Sequence, residues 1–234
     1  MRLFIRWIVP NSLDSSNVTE TGWPFSDATG EAGGGRDPFF VFLTDLYFGD
    51  LGGALPSPDS ALIGVAKADK ICERAANTST YASNKLRNRR WKAWLSDSDP
   101  NSAPSTRFTS KDSPYDAVGY ANVDGTLVAA NWAALTSVLV SLQNGGFKFK
   151  YDGSLFNSKT DGTVYGAWTN TTYSGDRFGN SSRSDCNDWT DGTSASRGYR
   201  AQIGNPVPID ARWTDGAAVN CDSSMKAIYC FEQP

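Results

Sequence analysis

Hydrophobic positions gather in short runs between long polar stretches, and the period within each run indicates the element it builds. MRLFIRWIV, carrying Leu3, Phe4, Ile5, Trp7 and Ile8, reads as a short strand ended by Pro10. The following SLDSSNVTETGWPFSDATGEAGGGRDP is polar and hinged by Gly33 to Gly35, so residues 1–37 are expected to form an extended arm. From Phe39 the texture changes: FFVFLTDLYF is a buried-strand run and GDLGGALPSPDS a turn-rich loop. In LIGVAKADKICERAAN the period becomes helical, with Val65, Ala68, Cys72 and Ala75 on one face opposite Lys67, Lys70 and Arg74. Period two returns in WKAWLSD, where Trp91, Ala93 and Leu95 alternate with Lys92, Trp94 and Ser96. NWAALTSVLVSLQNGG predicts a second helix, with Asn131 as its N-cap and Gly145 as its stop. GFKFKYDG and GTVYGAWTN are strand-like, and MKAIYCFEQ gives a final strand in which Ala227 and Tyr229 alternate with Ile228 and Cys230.

Residues 170–220 are rich in Ser, Thr, Asn, Asp and Gly and poor in apolar residues. A stretch of that length without regular structure inside a compact domain is usually functional or disordered. It contains Cys186 and ends at Cys221, which predicts an ordered loop held by a sulfur bridge.

Composition narrows the function classes. The 234 residues, 39% of them hydrophobic, suffice for one globular domain behind the arm. A net charge of -3 supplies no basic field, so nucleic acid is not an expected partner. No apolar run approaches the roughly 18 residues that a spanning helix needs, so membrane insertion is not expected. Arg2 and Arg6 interrupt what would be the apolar core of a secretion signal, and a cleaved leader is not expected. The chain has no histidine, the commonest general base and metal ligand, and its acids form no evident acid/base couple. It therefore reads as a protein that is not an enzyme and carries no cofactor.

Four cysteines allow three pairings, and sequence alone does not choose among them. The spacing lacks the close pairs of a zinc knuckle. The helix and the last strand each offer a core-facing cysteine, while Cys186 and Cys221 bracket the polar stretch. A nested arrangement, Cys72 with Cys230 and Cys186 with Cys221, is therefore the favoured one, and disulfides imply maturation outside a reducing cytosol. KLRNRRWK gathers Lys85, Arg87, Arg89, Arg90 and Lys92, either an anion grip or a solvated basic face, and the second is favoured. Asp185, Asp188, Asp191, Asp210, Asp215 and Asp222 crowd the polar stretch and read first as turn and cap residues. Trp189 and Trp213, each close in sequence to a cysteine, read first as core. Sequons at Asn17, Asn77, Asn170 and Asn180 add little in so polar a chain.

Taken in order, FFVFLTDLYFGDLGG, GVAKADKICERAA, WKAWLSD, DGTLVAANWAALT, CNDWTDGT, RWTD and IYCFEQ resemble an endostatin-like bacterial family of unknown function, found in surface and secreted proteins and built on the C-type lectin-like domain. The resemblance covers about residues 38–234. It implies an α+β fold with two helices, a small twisted antiparallel sheet and a long loop region over about 170–220. It also implies the nested disulfides, and it sets Trp94-Leu95 in the position of the lectin-like core motif. Trp213-Thr214-Asp215 falls near the Trp-Asn-Asp whose last two residues ligate calcium in sugar-binding members. Here Thr replaces the Asn and the partner Glu-Pro-Asn or Gln-Pro-Asp is missing, so the usual calcium and sugar site is not expected. Asp188, Asp191 and Asp215 are the residual candidates for a different calcium arrangement.

The functional expectation is a surface or virion component, extracellular or on a particle, that displays a recognition loop for a glycan or a host-surface protein. Asp188, Trp189, Asp191, Arg197, Tyr199, Arg200 and Arg212 are its candidate contacts. The arm would add a strand to neighbouring subunits of the assembly. The alternatives are a purely structural decoration subunit and a secreted carbohydrate-binding lectin.

Overall fold

Successive side chains of FFVFL are all buried but on opposite faces, so one strand serves two cores. The computed structural model describes residues 36–52, 58–81, 85–137, 139–156, 159–160, 163–164, 166–179, 185–192, 200–206, 210–222 and 225–234. The run forms β1 (Phe39–Leu43), with Phe40 and Phe42 in one apolar cluster and Phe39, Val41 and Leu43 in another. Helix α1 (Gly64–Thr78) follows, then β2 (Arg90–Ala93) and the one-turn helix α2 (Pro104–Arg107). Next come β3 (Tyr120–Asn122), β4 (Leu127–Ala129) and a second single turn, α3 (Trp132–Leu135). The later chain adds β5 (Lys159–Thr160), β6 (Thr163–Val164), β7 (Ala167–Trp168), β8 (Arg200–Gly204), β9 (Ala217–Asn220) and β10 (Ala227–Gln233).

The protein is thus α+β, with helices set against an eight-stranded sheet in the order β4-β3-β1-β10-β7-β8-β9, β2 also pairing with β10. On one edge β10 runs antiparallel to β1, with Phe42 opposite Cys230. On its other edge it runs antiparallel to β2 and parallel to β7. β1 and β3 are parallel as well. The expected small antiparallel sheet is therefore larger, because the polar 170–220 stretch contributes β8 and β9 to it, and mixed, because β1 with β3 and β10 with β7 run parallel. β5 and β6 form a separate hairpin.

Every residue of β10 is buried. Ile228 and Cys230 enter the first cluster and Ala227, Tyr229 and Phe231 the second, as the alternation in MKAIYCFEQ predicts. The second cluster centres on Trp94, whose ring lies 4.8 Å from Trp213, 5.3 Å from Phe231, 5.6 Å from Trp132 and 5.8 Å from Phe108.

α1 closes the first cluster. Ala68, Ile71, Cys72 and Ala76 are buried, and Val65 and Ala75 flank them, so the inward face lies slightly rotated from the predicted one. Ile63 offers no side-chain cap; instead Asp97 Oδ2 accepts a hydrogen bond from Val65 N at 2.9 Å, setting a negative charge at the positive end of the helix dipole. Glycine is needed at position 64, where φ is +59° and a Cβ would lie 2.4 Å from that carboxylate oxygen. Arg107 of α2 then ties α1 to β2. Its Nη1 donates to both oxygens of Asp69 at 2.9 and 2.8 Å, and its guanidinium also reaches the carbonyls of Ala93, Leu95 and Ser102.

Two predicted elements differ. Asn131 caps α3 as expected, accepting from Ala134 N at 2.8 Å, but the helix stops at Leu135. Leu135, Val140 and Leu142 are all buried in the second cluster, a spacing that no single helical face presents, whereas Leu139 is 85% exposed. GFKFKYDG is not a strand; isolated bridges join Leu43 to Lys150 and Phe149 to Leu155. The arm positions Leu3, Phe4, Ile5, Trp7 and Ile8 lie outside the described residues.

Cys72 is bonded to Cys230 and Cys186 to Cys221. The first bridge joins α1 to the central strand. Two disulfides point to folding in an oxidising environment. Among the described residues no helix is long and apolar enough to cross a membrane.

Candidate functional site

The polar region is anchored from below by a buried belt of hydroxyl and amide groups. Ser96, Thr169, Asn170, Thr171 and Thr214 are all fully buried. Ser96 Oγ and Thr171 Oγ1 share a hydrogen bond of 2.8 Å, and Thr171 Oγ1 donates to Thr169 O at 2.7 Å. Thr169 Oγ1 donates to Thr214 O at 2.7 Å, and Thr214 Oγ1 to Thr171 O at 3.0 Å. The belt also receives indole N–H groups: Trp94 Nε1 donates to Thr214 Oγ1 at 2.7 Å and Trp189 Nε1 to Ser96 O at 3.0 Å. Buried polar groups must be paired, and this belt meets that demand between the two apolar clusters. Sequence reasoning missed it because Thr-Asn-Thr-Thr has loop-like composition. The signal was the number of tryptophans, each needing an acceptor once buried.

On this base stands a left-handed turn. Cys186, Asn187, Asp188 and Trp189 all have φ between +55° and +57°. Non-glycine residues pay about 1–2 kcal/mol each there, less for Asn and Asp. Three contacts hold the conformation: the Cys186–Cys221 bridge, the buried Trp189 ring against Trp168, and Asp185 Oδ1, which accepts from Asp188 N at 3.0 Å. Asp188 Oδ1 in turn accepts from Ser98 N at 2.7 Å. Gly49 packs against the bridge so closely that a Cβ would lie 2.6 Å from Cys186 Sγ. Asp185 is fully buried with Arg177 Nη2 3.5 Å from its Oδ2. Desolvation pushes its carboxyl up to about 6 against the opposing backbone hydrogen bond from Asp188 and the charge of Arg177.

The candidate contacts do not form one patch. Asp188 and Asp191 are half-buried at and just after the turn. Asp185 bridges to Ala201, so exposed Arg200 lies at this same end of β8, its Nη2 donating to Ala218 O at 2.8 Å. Arg212 sits beyond the other end of β8, where Asn205 N donates to Arg212 O, and pairs with Asp210 at 2.7 Å. Trp189 is buried, so it is a core residue and not a ligand platform. Arg197 and Tyr199 lie outside the described residues.

The other sequence features also resolve. Thr214, in the position of the lectin-type Asn, is consumed by the belt, and Asp215 accepts from Gln202 Nε2 at 2.6 Å. Asp185 and Asp210 cap turns, the latter by accepting from Arg212 N at 3.0 Å. Among the described residues no group of three acidic, Cys or His side chains could hold a metal ion, so Asp188, Asp191 and Asp215 do not converge. In KLRNRRWK, Arg87 Nε donates to Ser79 O at 3.0 Å, Arg89 pairs with Glu232, and Lys92 donates to Arg107 O. Arg90 is exposed, whereas Arg87, Arg89 and Lys92 brace the end of α1, β10 and α2. Asn170 is buried, and Asn77 is exposed.

No model of a known protein family matches the chain, and no curated protein is similar to it.

Proposed function

We propose that this protein is a non-enzymatic component of an extracellular surface or particle, with a C-type lectin-like scaffold that presents the 170–222 region for glycan or protein recognition. The observation that carries the reading is the left-handed turn at Cys186–Trp189, held by a disulfide, a buried indole and a capping carboxylate. Strained backbone persists where the surroundings over-determine it, and it concentrates at functional sites. The turn orders Asp188, and the bridge from Asp185 to Ala201 brings the Arg200 end of β8 to it, which supports a mixed acid and base surface suited to hydroxyl and amide groups. The helix bonded through Cys72 to the central strand, the WKAW segment that β2 opens and the inner bridge support the lectin-like assignment. Residues 1–37 serve in this reading as the arm that joins neighbouring subunits.

The test is binding by the intact, oxidised chain to a glycan array and to cells. Arg200→Ala together with Arg197→Ala and Tyr199→Ala is expected to abolish the signal without moving Tm. Undiminished binding by that triple variant would remove the loop from the reading.

A further inference from the structure

We infer that the cleft beside the C-terminal half of α1 binds a carboxylate-bearing sugar. It is independent of the 170–222 surface, because the left-handed turn approaches the other end of α1, where a Cβ on Gly64 would lie 3.8 Å from Asp188 O. The cleft has a volume of about 150 Å³, too small for a drug-sized ligand and suited to one sugar ring or its edge. Ile71 and Ala75 give it an apolar wall, and Asp45, Tyr47, Arg74 and Tyr151 bring polar groups to it.

Arg74, half-buried at the wall of the cleft, holds its Nη1 buried without a hydrogen-bond partner. The neighbouring carboxylate does not answer it, since Asp45 Oδ1 accepts from Lys150 Nζ at 2.7 Å and Oδ2 from the Tyr151 hydroxyl at 3.0 Å. Among the described residues no ion pair reaches the Arg74 guanidinium. An orphaned guanidinium donor is costly, and its planar fork matches a carboxylate. The Asp45 side chain is 53% exposed and keeps lone pairs for ligand hydroxyls. A bare anion would meet that acid unfavourably. A ligand with a carboxylate at one end and hydroxyls at the other satisfies Arg74 and Asp45 together, with its C–H face on the tyrosine rings.

The experiment titrates the full chain with D-glucuronate, D-glucose and inorganic sulfate, followed by amide NMR. Glucuronate is expected to shift residues 71–78 and 150–152, with glucose and sulfate at least about tenfold weaker, as loss of one charge-assisted hydrogen bond implies. Arg74→Gln is expected to weaken glucuronate about tenfold or more with Tm unchanged. Should that variant not fold, Tyr47→Phe, which keeps the ring, is expected to weaken it about threefold. Equal affinity for sulfate, undiminished binding by the folded variant, shifts confined to 200–220, or no binding up to about 50 mM would each overturn the proposal.

Discussion

Asp185 carries its carboxyl out of water beneath the left-handed turn, faced by Arg177, Asp188 and Asp97, and burial raises it to about 6. An ordinary aspartate titrates near 4, so the native chain holds this proton more tightly than the unfolded one. The stability it contributes is full below about pH 4 and is lost as pH rises through about 6. Asp185→Asn cannot ionise, so urea melts should show the variant gaining on the wild type as pH rises from about 4 to about 7. A constant difference across that range would contradict the assignment. The buried tryptophans make a second residue-scale prediction. Trp94 Nε1 donates to Thr214, whereas Trp213 Nε1 is buried without a partner. Trp94→Phe should therefore cost about 1 kcal/mol more than Trp213→Phe in equilibrium denaturation. Arg107 is different again: burial raises the Asp69 carboxyl despite the guanidinium beside it, so the pair positions α1 more than it stabilises the fold. Truncating Arg107 to Ala leaves that acid uncompensated and should cost about 3 kcal/mol.

At the scale of elements, close backbone packing and the inner bridge set the polar region. A Cβ on Gly204 would lie 1.8 Å from Trp213 O, a main-chain atom with nowhere to move. Gly204→Ala should therefore destabilise by at least about 3 kcal/mol, measured by thermal or urea melts. Replacing Cys186 and Cys221 together by Ser releases a loop spanned by 35 positions and should cost about 4 kcal/mol. Elements with a clean period were legible in the sequence. α1 follows its 3.6-residue repeat, and β10 follows the alternation from Ala227 to Phe231 because both of its faces are covered. Both disulfides follow the nested order. What stayed hidden depends on tertiary context. Thr136, Ser137 and Val140 end a helix that Trp132 to Leu135 begins, because the second core takes Val140 and Leu142 instead. Thr169 falls in a strand-like run and Thr171 in the polar stretch, and only three-dimensional packing turns their hydroxyls into acceptors and donors for the belt. Of the candidate contacts, Asp188 is half-buried and Arg200 exposed, whereas Trp189 is core and Arg212 lies beyond the other end of β8.

For the whole molecule, the strand at residues 227–233 lies between β1, from residues 39–43, and both β2 and β7. It also carries one half of the outer disulfide. Pairing so distant in sequence is entropically demanding and folds slowly. The two apolar clusters share this strand as their dividing wall, so neither is complete without it. During translation, the segments before Ala227 emerge without the strand that divides the two clusters, and Cys72 has no partner until Cys230 follows. A nascent chain halted before Ala227 should remain protease-sensitive with a reactive Cys72 thiol, and one extended past Gln233 should be resistant with that thiol lost. The outer disulfide can close only on a chain whose central strand is already in place, so loss of the Cys72 thiol reports completion of the sheet.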